Sequence, residues 1–295
     1  MKTNFSPDNL ESDLCWHTFS LPSSCQGETL FCRLAEPTTP FRAVVQISHG
    51  MCEHIDRYLP FFRFLAREGF VICGHDHLGH GKSCQDPSRL GFISSENGYH
   101  YLVEDLHAVS LHLKKRYPDL PLFLFGHSMG SLAVRAFAAK HDDCMNMLIV
   151  CGSPSENKAR PLGKAIAKVQ GKLLGSHHKS KILETMSFGT YALKFKDEKN
   201  KNAWICSDPA VYEAYTKSDL CGFTFTDDAY IALFDLMKKA YDVHRWTCTR
   251  PKMPVLFISG AEDPCLGNVR KFAGAVHAMR RAGYLDVKGK LYPGM

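Results

Sequence analysis

The chain has 295 residues, of which 45% are hydrophobic and 22% charged, an ordinary balance for a globular protein with one large core. The net charge of +6 is modest and no run of about eighteen apolar residues occurs, which argues against a membrane-spanning protein. Twelve cysteines are scattered without a C-x-x-C pair, and no signal peptide precedes them, so we expect reduced thiols in a cytoplasmic protein.

Short apolar runs recur along the chain and predict strands buried on both faces. These runs cover 30–34, 43–48, 70–73, 122–125, 147–150, 255–259 and 286–291. Helical spacing of apolar residues lies between them, over about 55–66, 102–113, 132–139, 228–246 and 269–283. This alternation predicts an α/β fold with a mostly parallel central sheet flanked by helices.

The alternation stops after Ser153 and resumes near Asp228. The intervening residues read as helical fragments without clear strands. We therefore predict a core of residues 1–153 and 227–295, with an inserted helical cap at 154–226. Within that cap, residues 157–201 contain eleven Lys or Arg and three acids, a net +8, so the rest of the chain nets −2.

A serine lies between two glycines where the predicted strand 122–125 turns into a helix, in the sequence Gly126-His127-Ser128-Met129-Gly130. A strand that turns at once into a helix needs close backbone packing, which glycine permits. The G-x-S-x-G corner in this context is typical of the nucleophile of an α/β-hydrolase. The amide of Met129 opens the helix, where negative charge is favoured.

Three further segments extend this pattern. They are HGMCEHIDRY at 49–58, HDHLGHGKS at 75–83 and SGAEDP at 259–264. Together, and in this order, they resemble segments of the monoacylglycerol lipase and lysophospholipase family of α/β-hydrolases. The resemblance covers roughly residues 28–295.

The resemblance implies a serine carboxylic-ester hydrolase that acts on glycerolipid esters through an acyl-enzyme and needs no metal or organic cofactor. It implies Ser128 as nucleophile and Asp263 as the acid of the catalytic triad. The amides of Met51 and Met129 would form the oxyanion hole. Glu53 and Arg57 would lie near the polar end of the acyl pocket, where a glycerol-like head group binds.

The histidine of the triad is missing from its expected place. In such enzymes it follows the acid and the last strand, and here the sequence ends at Met295 just after that strand. His127 should point away from the hydroxyl, and His277 should be half-packed against the sheet. We therefore expect a chain that is cut short before its base and impaired as an enzyme.

Other functions are compatible with the same sequence. His75-x-His77-x-x-His80 invites a zinc site, but a glycine stands where zinc hydrolases of this pattern carry an aspartate, so we assign no metal. The same fold could serve an aminopeptidase, or a lipid-binding shell without catalysis.

The cap contains a basic amphipathic pattern. Leu162, Ile166, Val169 and Leu173 recur at helical spacing, and the lysines at 164, 168 and 172 are expected on the opposite face of that helix. The simplest reading is an apolar face packed on the core with solvated lysines outside. The sharper hypothesis is peripheral contact with an anionic membrane surface. Nucleic-acid binding is not expected, because no stacking aromatics alternate with the lysines.

Overall fold

A computed structural model describes residues 14–195 and 198–295, so the N-terminal end of the predicted core and two residues of the predicted cap lie outside it. Eight strands form the central sheet. They are β1 (Leu14–Pro22), β2 (Thr29–Pro37), β3 (Ala43–Ser48), β4 (Phe70–His75), β5 (Leu122–His127), β6 (Met147–Cys151), β7 (Val255–Gly260) and β8 (Val287–Tyr292).

In the part of the chain that the structure describes, eight α-helices accompany the strands. They are α1 (Leu59–Arg67), α2 (Gly98–Arg116), α3 (Met129–His141), α4 (Arg160–Leu174), α5 (Lys181–Lys194), α6 (Pro209–Lys217), α7 (Asp227–Tyr241) and α8 (Val269–Arg281). Among the residues described, no helix has the length and apolar character needed to cross a bilayer.

The strands lie in the order β1-β2-β4-β3-β5-β6-β7-β8. The first two pairings, β1 with β2 and β2 with β4, are antiparallel. All later pairings, from β4–β3 to β7–β8, are parallel. The prediction of a mostly parallel α/β sheet is thus confirmed, although β1 was not predicted.

The two faces of the sheet have separate cores. Helices α2, α3, α7 and α8 contribute buried side chains to the larger one. Helix α1 covers part of the other face through Phe62 and Ala66. Because all the parallel strands run the same way, the loops after β3, β5 and β7 meet at one edge of the sheet.

Helices α4, α5 and α6 lie in the chain between β6 and α7. Helix α4 packs on α7 through small residues. A Cβ added to Gly163 would come within 2.7 Å of the Phe234 ring, and Ala167 is fully buried. Lys164 lies on this inner side and forms an ion pair with Asp235.

The orientation of α4 contradicts the simplest reading of its sequence. Leu162, Val169 and Leu173 are 59%, 58% and 76% exposed, and only Ile166 is partly buried against the core. The apolar stripe therefore faces outward, because glycine and alanine allow a closer helix contact with α7 than leucine would. The expectation that the apolar face packs on the core is wrong.

Candidate active site

A cavity of about 280 Å³ opens at the carboxyl edge of the parallel strands. Its wall includes Met51 after β3, Ser128 after β5, and Asp263 after β7. The opposite wall comes from the segment between α5 and α6, with Trp204 and Cys206, and from Tyr215 in α6. The sheet thus brings together residues that lie more than 200 positions apart.

Ser128 occupies the sharp corner between β5 and α3. Its backbone has φ 52° and ψ −118°, a left-handed conformation that costs a non-glycine residue roughly 1–2 kcal/mol. The Ser128 amide donates to the carbonyl of Cys151 at 3.0 Å, which fixes the corner against the end of β6. The side chain borders the cavity.

The two glycines of the corner are required by close backbone contacts. A Cβ on Gly126 would lie 2.4 Å from the Gly130 carbonyl oxygen, and one on Gly130 would lie 2.1 Å from the Ser48 carbonyl oxygen. No real Cβ approaches a backbone atom so closely. The absence of side chains lets α3 lie directly on the end of β3.

The loop after β3 runs beside the serine. A Cβ on Gly50 would lie 3.2 Å from the Ser128 Cβ. Met51 follows and borders the cavity, while Met129 is the first residue of α3 and so has no acceptor within its own helix. Amides in these two positions are suited to hold a negative oxygen, and their role as an oxyanion hole stays a prediction.

Asp263 directly follows the turn after β7. Its Oδ1 accepts a hydrogen bond from the Cys265 amide at 2.8 Å, and its Oδ2 accepts one from the Ser259 hydroxyl at 3.1 Å. These bonds hold the carboxylate in one orientation at the cavity wall. A carboxylate fixed in this way can orient an imidazole, which is the part predicted for it.

Glu53 is buried and its carboxylate is already engaged. It accepts hydrogen bonds from the Gly50 amide and the Tyr58 hydroxyl, and it forms an ion pair with Arg57. His127 lies 3.3 Å away. These contacts connect the loop after β3 to the residue before Ser128. The main structural effect of Glu53 is therefore to hold this loop in place.

Arg57 presents the more accessible charge at this end of the cavity. Its guanidinium lies 4.8 Å from the centre of the Tyr215 ring, within the range of a cation–π contact. The sequence analysis assigned a binding role to Glu53 and Arg57 but none to Tyr58 or His127. Tyr58 and His127 join the hydrogen bonds around Glu53 through a contact with each other across 69 positions, which no local sequence pattern predicts.

No histidine among the described residues hydrogen-bonds the Ser128 hydroxyl. His127 instead engages the Tyr58 hydroxyl through Nδ1 at 2.8 Å, and burial followed by the charge of Arg57 lowers its pKa to about 4. His277 is exposed on α8, contrary to the expectation that it packs against the sheet.

The histidines at positions 75, 77 and 80 lie in the core with His49. The His49 and His77 rings are 4.3 Å apart, and His49 Nε2 accepts the His77 amide at 3.0 Å. Both ring nitrogens of His75 lack a hydrogen-bond partner in the part of the chain described. Through His49, which directly follows β3, this buried cluster packs against the start of the loop that leads to Met51.

The end of β8 also approaches the site. Gly294 and Met295 border the cavity, and the Met295 carbonyl accepts the Glu262 amide at 2.8 Å. The C-terminal residues therefore lie beside the Asp263 turn.

Comparisons with known proteins agree with this geometry. The family model Hydrolase_4, described as serine aminopeptidase S33, matches residues 39–295. A human monoglyceride lipase is 34% identical over 128 residues, which are 43% of this chain and 40% of the human protein. A monoacylglycerol lipase of Mycolicibacterium smegmatis is 32% identical over 140 residues, 46% of this chain and 48% of that protein. The matched part thus spans less than half of these relatives.

Solved structures match over nearly the whole chain. A carboxyl esterase from Bacillus coagulans, crystallised with glycerol, superposes with a TM-score of 0.85 at 26% identity, covering 95% of this chain and 90% of the esterase. A monoglyceride lipase from Saccharomyces cerevisiae gives a TM-score of 0.71 at 18% identity, covering 96% and 87%. The second likeness concerns the fold alone.

Proposed function

The chain belongs to the serine aminopeptidase S33 family, an α/β-hydrolase family, and on that premise we propose that Ser128 hydrolyses carboxylic esters of monoacylglycerol type. The observation that carries the proposal is the strained corner of Ser128 at a cavity whose wall also holds Asp263. The similarity to monoglyceride lipases supports the substrate class.

In this reaction the Ser128 hydroxyl attacks the ester carbonyl and forms an acyl-enzyme with loss of the alcohol, and water then releases the acid. The amides of Met51 and Met129 would hold the oxyanion, each contributing about 3 kcal/mol to the transition state. Arg57 would donate hydrogen bonds to the hydroxyl oxygens of the head group. Glu53 would hold Arg57 and the oxyanion loop in place.

The proton of Ser128 needs an imidazole oriented by Asp263. A histidine on a segment joined to Met295 would start at the cavity wall, beside the Asp263 turn. We propose that catalysis requires a base supplied in this way. The 295-residue chain would then hydrolyse esters several orders of magnitude more slowly than a form extended by such a segment.

The test compares the 295-residue chain with a form extended after Met295 by a histidine-containing segment. The assays are hydrolysis of a monoacylglycerol and labelling by a fluorophosphonate. We expect the extension to raise both, and Ser128→Ala to abolish both in the extended form. Equal activity in the two forms would refute the need for an added base, and hydrolysis that survives Ser128→Ala would refute the nucleophile.

The same assay distinguishes an ester hydrolase from a peptidase. The extended form should turn over the monoacylglycerol faster than a proline amide. Preference for the amide would replace the proposed substrate by a peptide. Absence of both fluorophosphonate labelling and turnover of either substrate in the extended form would favour a lipid-binding protein without catalysis.

We also propose that the outer faces of α4 and α5 contact the membrane that holds the lipid substrate. The exposed apolar residues there are Leu162, Val169, Leu173, Leu174, Ile182 and Met186. Exposed Lys168 and Lys172 flank them on α4. An apolar stripe bordered by lysines suits an interface of acyl chains and anionic head groups.

Co-sedimentation with liposomes tests this contact. Binding should rise with the fraction of anionic lipid and fall with salt, and Val169→Glu with Leu173→Glu should reduce it at least tenfold. Leu285→Glu is the matched control, because Leu285 is 73% exposed away from α4 and α5. If the control reduces liposome binding as much as the double variant does, the outer faces of α4 and α5 are not the membrane contact.

A further inference from the structure

Three imidazoles gather around one carboxylate where α2 meets the end of α3. Glu104 lies 3.2 Å from Nε2 of His141 and 3.9 Å from Nδ1 of His107. A third ring nitrogen, Nδ1 of His100, also lies 3.9 Å from the carboxylate. None of these residues borders the Ser128 cavity.

The donor atoms already have nearly the separation that a metal requires. One ligand atom from each of Glu104, His107 and His141 lies within 4.8 Å of the others. Tetrahedral zinc with bonds of about 2.0–2.1 Å needs ligand atoms about 3.4 Å apart, so the three side chains must rotate to bring these atoms closer. Within the described part of the chain, this is the one such group of His, Cys, Asp and Glu.

The backbone holds the ligands in place. Glu104 and His107 are separated by one turn of α2, and His141 is the last residue of α3. The His107 and His141 rings stack with centroids 3.8 Å apart and planes at 11°. A nitrogen of each ring is close to Glu104. Because an imidazole nitrogen binds a metal in the plane of its ring, the two stacked rings must turn toward each other to hold one ion.

The remaining ring nitrogen of His107 also has a partner. Its Nε2 lies 3.5 Å from Sγ of the buried Cys144. A second contact of this kind fixes the orientation of metal-binding imidazoles in known sites.

We propose that Glu104, His107 and His141 bind a divalent transition-metal ion of the Zn²⁺ type, with water or His100 as the fourth ligand. Two imidazoles and one carboxylate form a donor set that suits zinc. Lys140 now donates to Glu104 at 2.6 Å, but its side chain is 56% exposed and can turn into solvent when the ion binds.

The ion would fasten α2 to α3 far from the reacting serine. Helix α3 has 13 residues, so its length of about 20 Å separates His141 from the Ser128 corner. The metal would therefore stabilise the fold without entering the reaction. This inference does not depend on the proposed hydrolysis.

The test uses the full chain, first stripped of metal by a chelator and then titrated with ZnCl₂. Zinc at a hundredfold excess over its dissociation constant should raise the Tm by about 5 °C. His107→Asn and His141→Asn should each lose that shift and weaken zinc binding at least a hundredfold. His277→Asn, which removes an exposed imidazole on α8, is the matched control and should keep both.

Cobalt binding gives a readout that does not need the variants to fold. Co²⁺ bound to wild-type protein should show the visible bands of a tetrahedral nitrogen–oxygen site. A thiolate-to-cobalt charge-transfer band would put the metal on cysteines and overturn the proposal. An absent zinc shift, or one that persists in His107→Asn and His141→Asn, would overturn it as well.

Discussion

Replacement of His75 by methionine should make the protein less sensitive to acid. His75 is fully buried in β4, and burial lowers its pKa from 6.5 to about 4. The folded state therefore keeps the ring neutral at pH values where the unfolded chain takes up a proton. The stability associated with the neutral ring is fully present above pH 6.5 and is lost as the pH falls toward 4.

The magnitude follows from the two pKa values. Between pH 7.5 and pH 5, the wild-type protein should lose about 2 kcal/mol through His75 alone, and about 3 kcal/mol by pH 4. Methionine has a similar volume and does not titrate. Because neither nitrogen of His75 has a partner among the described residues, His75→Met breaks no hydrogen bond there.

Urea unfolding at several pH values measures the effect. The difference in unfolding free energy between His75→Met and wild type should move in favour of the variant by about 2 kcal/mol from pH 7.5 to pH 5. The other buried histidines remain in both proteins. His75 contributes to the lowered pKa of His77, whose ring is 4.8 Å away, so its removal raises that pKa and shifts the difference in the same direction. Parallel curves for the two proteins would refute the reasoning.

Two further substitutions test the site by the same unfolding assay. Gly130→Ala should cost about 3 kcal/mol, because the new Cβ would lie 2.1 Å from the Ser48 carbonyl oxygen, whereas Gly274→Ala, with nothing within 4 Å, should be neutral or stabilising. A loss at Gly130 no larger than at Gly274 would contradict the close contact. Glu53→Gln should cost about 2 kcal/mol, because it leaves the Arg57 guanidinium without its anion, and unchanged stability would contradict the bracing role.

The parts of the site that follow backbone geometry could be predicted from the sequence. A serine between two glycines, after an apolar strand and before a helix, has few structural solutions, and Ser128 adopts the expected corner. The parallel strands then bring Asp263 to the same cavity, because both residues follow the carboxyl ends of strands. Strand spacing indicated the corner of Ser128, whereas Asp263 was selected through the resemblance to the monoacylglycerol lipase and lysophospholipase family.

Features that depend on tertiary contacts could not be predicted. Amphipathic spacing finds the two faces of α4, but it does not tell which one is buried when Gly163 offers a close fit against Phe234. Strand β1 was missed because most of its residues are partly or fully exposed, so it lacks a continuous apolar run. The imidazole cluster at His107 and His141 comes from helices packed side by side, 34 residues apart in sequence.

The contact of Gly130 with Ser48, backbone against backbone, has a consequence for motion. With no side chain between them to change rotamer, the nucleophile corner and the loop opposite can move only together. Room for substrates of different shape must then come from the facing wall, where Trp204, Cys206 and Tyr215 lie on elements outside the sheet. If the proposed ester hydrolysis holds, selection among acyl chains is then a property of the facing wall and not of the Ser128 corner.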